Sequence, residues 1–398
     1  MTIYILGYTI IALVVIFVLF VELVGHKIIF RNNPKIQNIF GHPLLMYSLR
    51  RMGSALISIL LAITATFFLI RFKVNAGDGI SFCQSVIKNW SKMNDSIRQA
   101  QCVSIKADLG ITDNWFVDLF TYFYNILPFP KTVCMTSYGT QIVDGNINYI
   151  VTTSDCRNTL MNLGRIYFIE GDVGKYVTDV IFERMGVSFK VGIIAVIVEV
   201  LLGYPCGILM AKHKDGVFDR VGKAYIISID AIPGVAYYYI WLVILCKWIS
   251  LPSQYQEGNF ASLLAPALTM GFTGMAGIAL WVRRFMLDEF NSDYVKFARA
   301  KGLSENRILY THVLRNAIVP LIRSIPTAIL GALLGTFYLE KIYSINGIGG
   351  LLVIANDKSD FYALQGIIIV SALISIISYL LGDIITAVVD PRVSFTDE

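Results

Sequence analysis

Seven apolar runs of about 20 residues constrain this 398-residue chain more than any other feature: 3–24, 52–72, 189–210, 224–246, 263–282, 317–338 and 363–387. Coiled as a helix, such a run is as long as the hydrocarbon core of a bilayer is thick. No water reaches the backbone N–H and C=O groups there, so the chain must cross as helices whose hydrogen bonds close within each segment. Composition agrees. Hydrophobic residues make up 56% of the chain and charged residues 15%, against about 25% charged in soluble domains. The fold class read from this is an all-α membrane protein.

Lys and Arg in short loops stay on the cytoplasmic side. The 25–51 linker carries Lys27, Arg31, Lys35, Arg50 and Arg51; the 211–223 loop carries Lys212, Lys214, Arg220 and Lys223. The 283–316 loop carries Arg283, Arg284, Lys296, Arg299, Lys301, Arg307 and Arg315, while the alternate loops hold only Lys247 and then Lys341 and Lys358. This predicts a multi-pass protein of the cell (cytoplasmic) membrane with its N-terminus outside and its C-terminus inside. The formal net charge of +5 follows from this bias and does not point to nucleic acid. Residues 3–24 lack a basic leading segment and a small-residue cleavage site, so they read as a retained anchor and not as a signal peptide.

The resulting organisation is an extra N-terminal helix and cytoplasmic linker (1–51), a first core helix (52–72), an extracytoplasmic insert (73–188) and the rest of the core (189–398), with a cytoplasmic segment at 289–316. The insert holds Trp90, Trp115, Phe116, Phe120, Tyr122, Phe123 and Tyr124, enough apolar surface for a small folded unit. Four of the six cysteines lie in it: Cys83, Cys102, Cys134 and Cys156. On the oxidising side these allow two disulfides in any of three connectivities. At least one bridge is expected; free core thiols are the alternative. Cys206 and Cys246 fall in spans and read as packing residues.

The cytoplasmic segment has its own local logic. Ser292 or Asn291 can cap a helix start with a side-chain oxygen, and Gly302 can end that helix in the left-handed conformation. A side chain at Gly302 is expected to obstruct this tight turn. Tyr294, Phe297, Ala298 and Lys301 then share one face. This makes a helix of two to three turns with an aromatic ridge, a size suited to a groove on a partner. Ser304 and Glu305 can start a second helix. Spacing alone favours a basic amphipathic helix lying on the membrane surface.

The identities of the residues go further. Asp293-Tyr294-Val295, Ala298-Arg299-Ala300-Lys301-Gly302-Leu303, His312, Leu314-Arg315-Asn316-Ala317 and Pro320 resemble the coupling segment of the permeases of oligopeptide and dipeptide ABC importers. Gly171-Asp172-Val173-Gly174-Lys175 is similar to that family's Gly-Asp-Leu-Gly-Ser element. Glu340 through Gly349, with Glu340, Gly347 and Gly349 in place and Asn346 where proline is usual, resembles its outer loop, and Asp390-Pro391-Arg392 resembles its ending. The likeness covers 50–72 and 167–392. In the broader importer motif Glu-Ala-Ala-x-x-x-Gly only Ala298 and Gly302 remain, which fits the peptide branch.

The resemblance implies a six-helix type I permease core plus one extra helix. It implies a second homologous permease, two ABC ATPase subunits that bind ATP and Mg, an extracytoplasmic peptide-binding protein, a peptide substrate and alternating access in a lipid bilayer. It assigns contact with the ATPase to a helix at 291–303, through Asp293, Tyr294, Phe297, Ala298, Arg299, Ala300, Gly302 and Leu303. Importers of nickel or heme share the branch. A membrane-anchored receptor or signalling protein is the alternative from another class.

The chain itself shows no P-loop, no His-Glu-x-x-His and no Gly-x-Ser-x-Gly, so no enzyme activity, metal or cofactor of its own is expected. Charges inside spans face a bundle interior or a water-filled cavity. Glu199 and Asp230 are such charges, and with Tyr238 they are candidates for the translocation path; a structural pair or a subunit contact is the other reading. Arg323 is placed near the inner end of its span, Glu22 and Asp383 at span ends, and Tyr237, Tyr238 and Tyr239 in a vestibule or an interfacial belt. Pro205, Pro233, Pro266, Pro320 and Pro326 lie in spans. Such breaks are plain kinks singly, and together mark a transporter.

Overall fold

Whether an apolar run becomes one straight helix depends on where its prolines fall. The computed structural model describes residues 43–75, 83–84, 94–95, 98–99, 102, 114–143, 146–322, 324–334, 336–358 and 360–389. The 3–24 span, Glu22, the linker to residue 42, most of 76–113, Arg323 and Asp390-Pro391-Arg392 lie outside the described residues.

The helices are α1 Pro43–Asn75, α2 Trp115–Ile126, α3 Val177–Lys212, α4 Val217–Ala231, α5 Gly234–Leu242, α6 Ala261–Phe290, α7 Asp293–Ala300, α8 Glu305–Arg307, α9 Leu314–Ala317, α10 Val319–Ile322, α11 Ser324–Gly331, α12 Phe337–Ile342, α13 Ile348–Asp357 and α14 Phe361–Val389. Wider π-type turns continue α5 over Val243–Trp248 and join α8 to α9 over Ile308–Val313. Among the described residues, five helical segments are long and apolar enough to cross a membrane, and six if the bent pair α4–α5 counts as one span. The expected runs 52–72, 189–210, 263–282 and 363–387 lie inside α1, α3, α6 and α14.

Two runs differ from a single straight rod. The 224–246 run bends by 115° between α4 and the helix Gly234–Trp248. Pro233 has no N–H to donate and pushes the residue before it out of the helical region; Ile232 accordingly sits at φ −87°, ψ 130°. The 317–338 run, which carries Pro320 and Pro326, is helical over Val319–Ile322 and Ser324–Gly331 and tightens into a 3-10 turn at Ala332–Leu334. Pro205 and Pro266 remain inside continuous helices.

One compact unit includes Met52–Phe182 and Ile354–Leu373. In it α2 buries Phe120, Phe123 and Ile126. Arg71 pairs with the buried Asp118 at 2.6 Å. Beyond α2 comes a long antiparallel hairpin, β1 Lys131–Val143 and β2 Asn146–Thr159. The buried Lys131 ammonium donates to carbonyls at the end of α2, those of Tyr124 and Asn125 and of Leu127 just after it, which have no helical partner of their own. Cys83 and Cys102 form a disulfide with Cα atoms 5.4 Å apart. Cys156 is also disulfide-bonded and stands opposite Cys134 in the hairpin register; the side chain of Cys134 lies outside the described set. Asp360, fully buried, accepts the N–H groups of Tyr167 and Phe168 at 2.8 Å each and that of Ala363 in the first turn of α14 at 3.2 Å.

The other unit includes His42–Arg51, Glu183–Val353 and Ile374–Glu398. Its helices approach closely where side chains are small, the usual means of helix association in lipid. A methyl group at Gly207 would meet Val282, and one at Gly271 would meet Val198, each within 2.7 Å, so α3 and α6 pack backbone to side chain. One core gathers Val191, Leu245, Ala265, Leu339 and Tyr343. A second, around Met286, Val295, Ile308 and Val313, supports the site described next. Asp383, expected at a span end, pairs with Arg51 at 3.2 Å.

Candidate functional site

The chain leaves α6 through Asn291, whose amide donates to Leu287 O at 3.1 Å. Ser292 is extended, at φ −68° and ψ 152°, and turns the backbone into α7. Its hydroxyl donates back to Glu289 O at 2.6 Å, and the first amides of α7, from Val295 and Lys296, bond the Ser292 carbonyl. The expected side-chain cap is therefore absent: the free carbonyls closing α6 compete for the same hydroxyl.

The far end closes as a Schellman motif. Gly302 N–H bonds Arg299 O at 2.9 Å and Leu303 N–H bonds Ala298 O at 3.3 Å, with Gly302 at φ +77°. A methyl group there would meet nothing within 4 Å. The glycine is thus required by backbone conformation and not by crowding, which corrects the steric expectation.

The inward face of α7 is Val295 and Ala298, packed with Val282, Met286, Ile308 and Val313. Of the face drawn from spacing, only Ala298 is buried. Tyr294 is half-buried and its hydroxyl donates to the Glu289 carboxylate. Phe297 is 62% exposed, with the Lys301 ammonium 4.5 Å above its ring. The shift has a simple cause: an eight-residue helix stitched to α6 and to the following segment is oriented by both neighbours, and Val295 fills the space between them.

Around this core the surface is polar. Arg299 grips Glu305 with two bonds of 2.8 and 3.2 Å, tying α7 to α8, and Lys296 meets Asp293 at 2.8 Å. The Arg299 hydrogen bonds hold the Glu305 carboxyl below its ordinary range, and the Lys296 hydrogen bond does so for Asp293. Ala300 is exposed and Leu303 half-buried. Beside α7 lies an open cleft of about 480 Å³ lined by Lys212, His213, Lys214, Arg299, Glu305 and their neighbours.

Sequence reasoning missed Asp219. It is fully buried at the start of α4 and receives Arg283 of α6 through two bonds, 2.6 and 2.9 Å. Lys223 at 3.0 Å and the Asp215 N–H at 2.9 Å complete its shell. An acid within a basic loop, four residues after Asp215, was its only signal.

Of the three path candidates, Glu199 lies in α3, Asp230 in α4 and Tyr238 in α5. The Glu199 carboxyl lies directly over Gly274, where a methyl group would meet it within 2.1 Å. Asp230 stands exposed in the last turn of α4, outside that contact. In the outer loop, Glu340 is buried, accepts the Ser188 hydroxyl at 2.7 Å and the Gly350 N–H at 2.8 Å. Gly347 and Gly349 line its carboxylate; a methyl on Gly347 would meet Glu340 Cδ at 2.5 Å. The Gly171–Gly174 element is a turn closed by Gly174 N–H to Ile166 O at 2.8 Å.

Residues 203–395 match the family model described as the binding-protein-dependent transport system inner membrane component. Over 210 residues the chain is 35% identical to the oligopeptide transport system permease protein AmiC of Streptococcus pneumoniae serotype 4, covering 52% of this chain and 42% of that protein. It is 34% identical over 218 residues to the dipeptide transport system permease protein DppB of Lactococcus lactis subsp. cremoris, covering 54% of this chain and 72% of that one. With the oligopeptide transport system permease protein AppB of Bacillus subtilis the identity is 28% over 238 residues, 56% and 73% of the two chains. The chain thus spans under half the length of the pneumococcal relative.

Proposed function

This chain belongs to the family of binding-protein-dependent transport system inner membrane components, and on that premise we propose that it is the permease subunit of an ATP-driven importer of oligopeptides or dipeptides. The observation that carries the reading is α7. It is a short helix anchored inward by Val295 and Ala298, stopped by a left-handed glycine, with Phe297 and Lys301 projecting outward. An exposed aromatic on a rigidly held helix is the form that inserts into a groove of a partner. The relatives named above, oligopeptide and dipeptide permeases, support peptide as the cargo.

In this reading a second homologous permease completes the path, two ATPase subunits carry ATP and Mg, and an extracytoplasmic peptide-binding protein delivers substrate. The N-terminus lies outside and the C-terminus inside. Closure of the ATPase dimer displaces α7. The segments hydrogen-bonded and packed to it, α6 and Ile308–Val313, move with it because the shared core is close-packed. Glu199 and Tyr238 line the path, where a carboxylate serves the amino terminus of a peptide.

The test is recovery of the chain from its native membrane in mild detergent. A second permease and two ATPases should accompany it, and ATP hydrolysis should rise with a peptide-loaded binding protein but not with nickel or heme. Recovery without these subunits would overturn the reading.

A further inference from the structure

Asp219 and Arg283 form a charge pair joining α4 to α6, and neither belongs to α7 or to the path. Asp219 is fully buried, and both of its oxygens are taken: Arg283 Nε at 2.6 Å on one, Arg283 at 2.9 Å, Lys223 at 3.0 Å and the Asp215 N–H at 2.9 Å on the other. Two parallel guanidinium bonds fix direction as well as distance, so the pair acts as a rigid pin between two helices.

The helices it joins are telling. Arg283 lies in α6 seven residues before Phe290, about 10 Å of rigid helix at 1.5 Å per residue. Its neighbours Val282 and Met286 share one core with Val295 and Ala298 of α7. On the other side, Asp219 opens α4, which runs to the 115° break at Pro233. α5, after the break, carries Tyr238, the residue placed on the path above. A displacement of α7 therefore reaches the broken span through this bidentate contact, beside the core of Ile226, Ala276 and Ala279 and the Tyr225 hydroxyl bonded to Phe272 O, which also join α4 to α6. A buried pair that loses a partner leaves an uncompensated charge, so the two helices are held to move together.

We propose that Asp219 and Arg283 are positioning residues that transmit motion of α7 to the α4–α5 broken span, so that cutting the pair uncouples ATP hydrolysis from transport. This rests on the importer reading. The experiment uses the complete transporter reconstituted in vesicles with its ATPases and binding protein, and reads peptides taken up per ATP hydrolysed. The variants are Asp219→Asn, Asp219→Glu and Arg283→Lys. At least one variant that assembles and hydrolyses ATP at the wild-type rate should show a fall of about tenfold in that ratio. An unchanged ratio in every variant that assembles, or parallel loss of assembly and hydrolysis in all three, overturns the proposal and leaves the pair a structural bond. Wild-type vesicles that take up no peptide would instead defeat the importer reading itself.

Discussion

Ser188 and Glu340, 152 residues apart, meet at 2.7 Å, and the same Ser188 oxygen accepts the Ile348 N–H at 3.0 Å. With Gly350 N–H on the other carboxylate oxygen, one serine and one glutamate satisfy the free amides that open α13 and bind them to α3 and α12. The outer-loop motif is thereby explained as a buried cap whose two glycines leave room for the carboxylate.

Ser188→Ala should lower stability by about 1–2 kcal/mol, since a buried charged acceptor loses a donor. Glu340→Ala should cost more, because it orphans the hydroxyl and several amides together. Gly347→Ala should be comparably harmful, as its methyl would meet the Ser188 hydroxyl and the Glu340 carboxyl. Thermal unfolding of the purified subunit in detergent checks all three, and wild-type behaviour of Gly347→Ala would refute the cap.

Gly302→Leu should abolish peptide uptake. The left-handed conformation at φ +77° costs a branched or bulky residue roughly 1–2 kcal/mol, enough to unwind the end of an eight-residue helix. Gly302→Asn, which tolerates that conformation, should retain most uptake. Equal loss in both variants would show that the site is limited by space and not by backbone angle.

Phe297→Ala and Val295→Ala should separate contact from support. The exposed Phe297 should leave thermal stability within about 0.5 kcal/mol yet weaken retention of the ATPase subunits. The buried Val295 should cost roughly 2 kcal/mol through lost burial and a residual cavity. Co-purification and unfolding, measured on both variants, decide the assignment.

The Arg299–Glu305 clasp should be acid-sensitive. The Glu305 carboxyl is held below its ordinary range in the folded chain, so its contribution is present above the unfolded carboxylate range and is lost as pH falls through the lower, folded value. Both groups are exposed, so salt should screen the effect. Amide exchange at Gly302 and Leu303, corrected for intrinsic rates, should quicken only in acid, and Glu305→Gln should remove that dependence; an identical acid response in Glu305→Gln would exclude the clasp as its source.

Much of the site was readable along the chain because its determinants are local. The left-handed stop at Gly302 and the second helix start at Ser304 follow from residue type and spacing. The inward face of α7 was misread because Val295, flanked by Tyr294 and Phe297, is less conspicuous than either aromatic, and only packing against Val282 and Met286 selects it. The bend at Pro233 was marked by the proline, but its 115° angle was not.

The sequence by itself determined the helices α1, α3, α6 and α14 and the family, since run length, backbone satisfaction in lipid and motif identity are properties of contiguous residues. Only the tertiary structure decided that Asp219 holds Arg283, that Ser188 holds Glu340, that Glu199 lies over Gly274 while Asp230 does not, and that Phe297 faces outward. Those pairings depend on the rotation and bend of each helix against its neighbours, which side-chain volume sets across gaps of up to 152 residues and no local pattern records.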